Sequence, residues 1–295
     1  MKKKQLLPPL FIIAAGSLWG MMGVFVRWLD AFGTSAMAIT FVRAMITAAV
    51  MLIFMLIRHR SMLKIRLRDS WMFIGTGRCS IVFFNYCYFQ TIVQTSLSMA
   101  AILLYTAPIF VMLLSAVLFK ERLTLKKLVA LALAFGGCVL VSGVASEGGA
   151  NIGAVMLGLG SGFGYALYSI FSRYALRRYH AYTVITYTFV IACVGSMPYV
   201  DLQLIAGVMT MPESVLAVVL MGLVVSALPY LLYTTGLNRV ETGNASVLAS
   251  VEPVVATTIS VAFYHEMMTF STAVGALLVM LAVLSLSRNA RKQHG

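Results

Sequence analysis

The sequence predicts an all-α integral membrane protein: ten transmembrane helices in an inverted five-plus-five repeat, with N- and C-termini cytoplasmic. Three observations carry this expectation. The first is composition. Of 295 residues, 61% are hydrophobic and 11% charged, and the mean hydropathy is +0.94, whereas soluble domains carry about 25% charged residues. The second is an internal repeat. With Pro108 set on Pro253, Ala100 falls on Ala245, Leu103 on Leu248, Ser115 on Ser260, Glu121 on Glu266, Thr124 on Thr269 and Ser142 on Ser287, without a gap. The third is the charge of the matched loops. Lys120, Arg122, Lys126 and Lys127 of the first copy meet His265, Met267, Ser271 and Thr272 of the second. Cytoplasmic loops collect Lys and Arg, so the two loops belong on opposite sides of a membrane. Inverted repeats of this kind are a common plan of secondary transporters.

A helical span needs about 20 mostly apolar residues. Apolar stretches of that kind run near 9–28, 35–57, 70–91, 97–119, 125–143, 152–173, 181–199, 214–235, 244–264 and 270–287. Lys2, Lys3 and Lys4 precede the first. It is too long for a signal-peptide core and reads as a retained helix. Thr124 and Thr269 are placed to cap the fifth and tenth helices. Two repeats, 1–143 and 152–295, are joined by a Gly-rich linker at 144–151. An odd number of helices in each half inverts the second copy.

Charge follows the same map. With the N-terminus inside, Arg58, Arg60, Lys64, Arg66, Arg68, Arg173, Arg177, Arg178, Arg239, Arg288, Arg291 and Lys292 join the Lys120 loop on the cytoplasmic side. Asp30, Glu147, Asp201, Glu213 and Glu266 fall outside. The net charge of +13 is therefore a topology signal with some attraction to anionic lipid, and nucleic acid is not the expected partner. Cys79, Cys87, Cys138 and Cys193 lie in apolar segments without metal-binding spacing. The chain carries no Walker A loop, His-Glu-x-x-His or Gly-x-Ser-x-Gly pattern. No cofactor, metal or enzymatic activity is expected.

Several motifs then resemble the EamA-like branch of the drug/metabolite transporter superfamily. They are Trp19-Gly20, Arg43, Tyr105-Thr106-Ala107-Pro108, Phe119-Lys120-Glu121-Arg122-Leu123-Thr124 and Glu252-Pro253. Phe263-Tyr264-His265-Glu266-Met267-Met268-Thr269 reads as a degraded copy of the loop after helix 4. The resemblance implies a substrate cavity ringed by helices 1, 3, 4, 6, 8 and 9. Helices 5 and 10 then lie at the back, where a homodimer contact is expected. It also implies a multi-pass protein of a bacterial inner membrane. Family cargoes range over amino acids, other metabolites, sugars and drugs, so the cargo is left open.

Arg43, Arg78 and Glu252 are the ionisable residues deep in helices, each about 12 Å from its nearer end at 1.5 Å per residue. Intramembrane charges of this kind face a cavity or a partner. Arg43 reads either as a cation for a substrate carboxylate or as a structural residue bonded to carbonyls. Glu252 precedes Pro253, whose missing N–H frees carbonyls at mid-depth. A carboxyl there could carry a proton or hold a substrate amine; alternatively it forms a permanent pair with an Arg. Arg78 enters from the same side to similar depth and is a candidate for that pair. Trp19, Asn85, Tyr88, Tyr105, Tyr168, Tyr230 and Tyr233 are candidate cavity walls. Gly20, Pro108, Gly164 and Pro253 are candidate bending points, and Gly16/Gly20 and Gly160/Gly164 have the spacing of close helix contacts.

The favoured reading is secondary active transport of a small organic solute by alternating access. Amino acids lead because they offer both a carboxylate and an amine. Export of lipophilic cations is the alternative, and a lipid-handling membrane protein is the lesser one.

Overall fold

The structure is a computed structural model that describes residues 2–95, 97–142, 152–265 and 267–289. The expected linker 144–151 and the loop acids Glu147 and Glu266 lie outside the described residues, as do Arg291 and Lys292. The described chain is helical throughout, with no strand among the described residues.

Ten helical runs follow one another. The first, α1, spans Lys2–Gly20, breaks at Met21 and resumes over Met22–Asp30. It is followed by α2, Ala36–Arg58. Then α3 covers 70–94 in three pieces: Ser70–Ile74, a π-wound Gly75–Val82, and Phe83–Gln94. The fourth, α4, is Leu97–Leu104 and Ala107–Phe119; α5 is Leu125–Ser142 and α6 is Ile152–Ala175. Next, α7 is Ala181–Ser196 with a 3-10 turn over Met197–Tyr199. The eighth, α8, is Pro212–Gly222, a π stretch Leu223–Ala227, and Leu228–Leu237. Last come α9, Thr242–Ala249 and Glu252–Tyr264, and α10, Phe270–Asn289. A short helix absent from the sequence reading, Leu202–Val208, follows Asp201, whose carboxylate accepts from the Gln203 and Leu204 N–H groups. Eight runs are long and apolar enough to cross a membrane. The two outside that measure are α3, which carries Arg78 and Asn85, and α5, which carries Lys126 and Lys127 in its first turn.

The irregularities have local causes. Proline has no N–H and its ring crowds the carbonyl four residues back. Accordingly α4 breaks ahead of Pro108 and α9 ahead of Pro253, while α8 widens to π winding just before Pro229. Matched positions behave alike at the far ends. Lys120 and His265 both adopt left-handed backbone, φ 56° and 55°, and donate their N–H groups to Ser115 and Ser260. Thr124 and Thr269 do cap: their hydroxyls accept from Lys127 N at 3.4 Å and Thr272 N at 3.2 Å.

Packing repeats the same correspondence. The contacts of α1 with α8 and α9 are mirrored by those of α6 with α3 and α4. The α2–α7 and α5–α10 pairs each join equivalent helices, as does α4–α9. In the α5–α10 pair the backbones meet at glycine: a Cβ on Gly137 would stand 2.7 Å from the Gly275 carbonyl oxygen, and one on Gly275 2.6 Å from that of Gly137.

Outside the bundle, the turn before α3 is tied to the α6–α7 turn. The Asp69 carboxylate accepts from the Tyr179 hydroxyl at 2.6 Å and from Arg178 at 2.6 Å. The Tyr179 bond, with the Arg178 charge behind it, holds the Asp69 carboxyl below its ordinary value of 3.8.

Two outcomes follow from this packing. Gly137→Leu forces two backbones apart, and overpacking of a close contact costs about 1–3 kcal/mol; thermal unfolding in detergent should show a lower Tm, and an unchanged Tm would contradict the contact. Asp69→Asn should also lower Tm at neutral pH. Because the folded-state value is depressed, the stabilisation by Asp69 is present above 3.8 and lost as pH falls through the lower folded value. The gap between wild type and variant should therefore close in acid.

Candidate functional site

The site grows from the two broken helices. In α4 the break falls at Tyr105 and Thr106; in α9 it falls at Ser250 and Val251. Freed carbonyls at membrane depth need new donors. Thr106 Oγ1 donates to Leu103 O at 2.5 Å and Ser250 Oγ to Ser246 O at 3.3 Å. Each break is also covered by a glycine face. On α1, Gly16 and Gly20 lie so near that a Cβ would stand 2.6 Å from the Ala249 and Glu252 carbonyl oxygens respectively. On α6, Gly158 and Gly162 lie against Leu103 and Thr106. The expected partners Gly160 and Gly164 pack instead on Phe83, Phe84 and Cys87 of α3. So the glycine pairs matched by sequence serve different neighbours, because the face of α6 toward α4 is one turn-fraction round from the face toward α3.

Between the breaks lies a narrow cavity of about 20 Å³, lined by Tyr105, Pro108, Tyr165, Ser246, Ser250 and Glu252, among others. That is room for about one water. Next to it Trp19, Tyr165, Tyr168, Tyr230 and Tyr233 surround a smaller void. Their rings form a box: Trp19 stands 5.1 Å from Tyr230, 5.4 Å from Tyr233 and 6.2 Å from Tyr165. The box is braced from behind, where Tyr168 OH meets Thr234 Oγ1 and Tyr233 OH meets Ser169 Oγ, both at 2.7 Å. Trp19 Nε1 is buried without a hydrogen-bond partner. Tyr88 stands one ring further out, 6.2 Å from Phe84, which in turn touches Tyr165 at 5.5 Å.

Glu252 lines the first void, and Arg43, which lines neither, lies near it without pairing. The Glu252 carboxylate makes no hydrogen bond or ion pair with any described residue. Arg43 is buried and close enough for its charge to act on Glu252 and Tyr230. Its own bonding is thin: a 3.5 Å contact to Asn85 Oδ1, a 3.8 Å contact to the Met22 sulfur, and no partner for Nε. Asn85 is fixed by its amide, which donates to Ile81 O at 2.7 Å.

Arg78 is a correction. It does not pair with Glu252 and does not reach the cavity. It is exposed on α3, lines a separate pocket of about 370 Å³ with Val82, Phe83, Tyr86 and Tyr199, and donates to Gly195 O at 3.0 Å, at the end of α7. A cation on a helix C-terminal carbonyl is a favourable structural contact. Tyr165, conversely, was not singled out from the sequence, yet it lines both voids. Its spacing from Tyr168 by three residues, on one helical face, was the available signal.

The Lys120 end of the bundle is closed by a clamp between the two halves. Glu121 accepts from the Thr242 and Gly243 N–H groups at 2.7 and 3.1 Å, capping the start of α9. Lys127 is buried, pairs with Glu241 at 2.8 Å and donates to Arg122 O at 2.9 Å.

Comparison with known proteins agrees with this architecture. The model of the EamA-like transporter family matches twice, over residues 6–143 and 152–288. An uncharacterized transporter of Archaeoglobus fulgidus is 28% identical over 92% of this chain and 93% of its own length. The uncharacterized transporter YwfM of Bacillus subtilis is 25% identical over 96% and 95%. One solved crystal structure has the same fold, with a TM-score of 0.81 at 18% identity, covering 98% of this chain and 99% of the other.

The clamp yields a direct test. Glu121→Ala removes two hydrogen bonds to a charged group, each worth at least about 1.5 kcal/mol, together enough to shift a closed–open balance by about 100-fold or more. With Ser246→Cys as reporter, maleimide labelling from the Lys120 end should speed up by that order. Equal labelling rates with and without Glu121 would remove the clamp from the account.

Proposed function

This chain belongs to the EamA-like transporter family, and we propose that it is a secondary active transporter of small organic solutes, with amino acids or related metabolites favoured. Its relatives are transporters, and nothing in the reading requires an enzyme. One observation carries the proposal: Glu252 presents a carboxylate with no partner among the described residues to the cavity between two broken helices. An unpaired charge at such depth is costly, so the site gains when a proton or a solute ammonium arrives. Arg43, close enough for its charge to act on Glu252, has a buried Nε without a partner. A solute with both groups satisfies both ends.

In this reading the two halves are inverted copies that rock about the Glu252 site. The Lys120 end is cytoplasmic, α3 and α5 complete ten crossings, and the protein resides in a bacterial inner membrane. Glu121 and Lys127 hold the cytoplasmic side shut. The breaks ahead of Pro108 and Pro253, covered by the Gly16/Gly20 face of α1, are the bending points. Proton transfer at Glu252 couples the cycle to the proton gradient.

A second reading is export of lipophilic cations. It is favoured by the same box: Trp and Tyr faces attract cations, and Trp19, Tyr165 and Tyr230 stand beside the Glu252 cavity. Arg43 is then structural.

Counterflow of a labelled amino-acid mixture into proteoliposomes, with and without a pH gradient, separates these. The expected result is saturable exchange that responds to the gradient in wild type and not in Glu252→Gln. A Glu252→Gln protein with an unchanged pH response ends the proton role. Flux of a lipophilic cation with no amino-acid exchange transfers the case to the second reading.

A further inference from the structure

A cavity of about 550 Å³ opens at the Lys120 end, where α4, α6 and α8 finish. Four cations line it: Lys120, Arg122, Arg173 and Arg177. Its two acids are already engaged, Glu121 with the start of α9 and Glu241 with Lys127 and Asn244. Arg173 is fixed from behind by the Leu237 and Val240 carbonyls. The Lys120 ammonium and the Arg122 guanidinium have no partner among the described residues. The cavity therefore presents a net positive lining whose own acids do not neutralise it.

One wall of the cavity continues into surface of the kind that meets lipid. Arg177 lies 5.2 Å over the rings of Phe119 and Tyr174, which stand 4.9 Å apart, and exposed Trp71 joins Tyr174 at 5.6 Å. Trp and Tyr in such a cluster mark the interfacial level of a bilayer. Along α4, away from the cavity, Leu113, Val117 and Leu118 are exposed apolar residues, Val117 at 77%. Arg and Lys at headgroup level are chemically suited to phosphate, Arg by its planar fork.

We propose that this cavity binds the phosphate headgroup of an anionic membrane lipid, with an acyl chain laid along the exposed face of α4. Free organic phosphates share the headgroup chemistry, but they make no use of the apolar face. The inference rests on the membrane reading of the fold and is independent of what is transported and how.

The test is binding to the purified full chain in maltoside micelles, read by native mass spectrometry and by Tm. The probes are phosphatidylglycerol, phosphatidylcholine with the same chains, and glycerol 3-phosphate. Phosphatidylglycerol should bind in preference to phosphatidylcholine and raise Tm. Each cation near a bound anionic headgroup contributes about fivefold in affinity, so Arg122→Gln should weaken phosphatidylglycerol about fivefold and Arg122→Gln/Arg177→Gln about 25-fold. Arg68→Gln removes an exposed charge at the same end but outside the cavity, and should leave binding unchanged. Equal binding of the two lipids overturns the proposal, as does equal weakening by Arg68→Gln and Arg122→Gln. Glycerol 3-phosphate binding as tightly as the lipid would overturn the lipid source while keeping the phosphate site.

Discussion

The structure depends on one constraint: backbone that is not hydrogen-bonded cannot face hydrocarbon. Helices α4 and α9 each break ahead of a proline, Pro108 and Pro253, and the features beside the breaks answer that problem. Thr106 and Ser250 donate into the broken turns. The glycine faces of α1 and α6 come down on the breaks so closely that no water or lipid fits between. Because α1 covers α9 and α6 covers α4, each half of the chain protects the weak point of the other. Neither half can bury its own break, so the two copies must fold around each other.

That arrangement also explains why the charges can stay apart. Arg43 arrives on α2, which packs on α7 and α8, while Glu252 sits at the restart of α9 against α1. The aromatic box lies beside the Glu252 cavity, with Tyr165 lining both voids, and is braced by the Tyr168–Thr234 and Tyr233–Ser169 bonds. A buried pair would be a structural element; two under-bonded groups are what the proposed transport function uses. Arg78 stands apart from both groups: it bonds the Gly195 carbonyl and lines a separate pocket with Val82, Phe83 and Tyr86.

Much of this was legible in the sequence. The repeat, the breaks ahead of Pro108 and Pro253 and the Thr124 and Thr269 caps all follow from residue types whose local physics is strong. What sequence position does not supply is the angle around a helix axis. Arg78 lies in the π-wound stretch Gly75–Val82, and π winding takes more residues per turn than α winding, so a face counted at regular α spacing is displaced there. Gly160 and Gly164 were matched to Gly16 and Gly20 by spacing, yet the pair that covers the α4 break is Gly158 and Gly162. Tyr165 carries no charge, break or cap that would draw attention to it, and the break at Met21 has no proline to announce it.

The loop cations have more than one task. Lysines and arginines are placed on one side of a membrane protein because they resist translocation, which requires nothing of their geometry. Here Lys127 nevertheless reaches Glu241, and Arg173 reaches the carbonyls that end α8. Lys127 draws the α8–α9 turn toward the end of the first half, where Glu121 holds the α9 N-terminus, and Arg173 ties the same turn to α6. The side-chain bonds that join the two halves here are polar and few, and this choice of interaction matters. A two-state element can be driven by a ligand only if its states differ by a few kcal/mol. Two charge-assisted hydrogen bonds and one ion pair fall in that range, whereas a wide hydrophobic seal would lock the bundle. On the proposed transport reading, a contact of this kind is strong enough to hold one end and weak enough for a solute or a proton at Glu252 to release it.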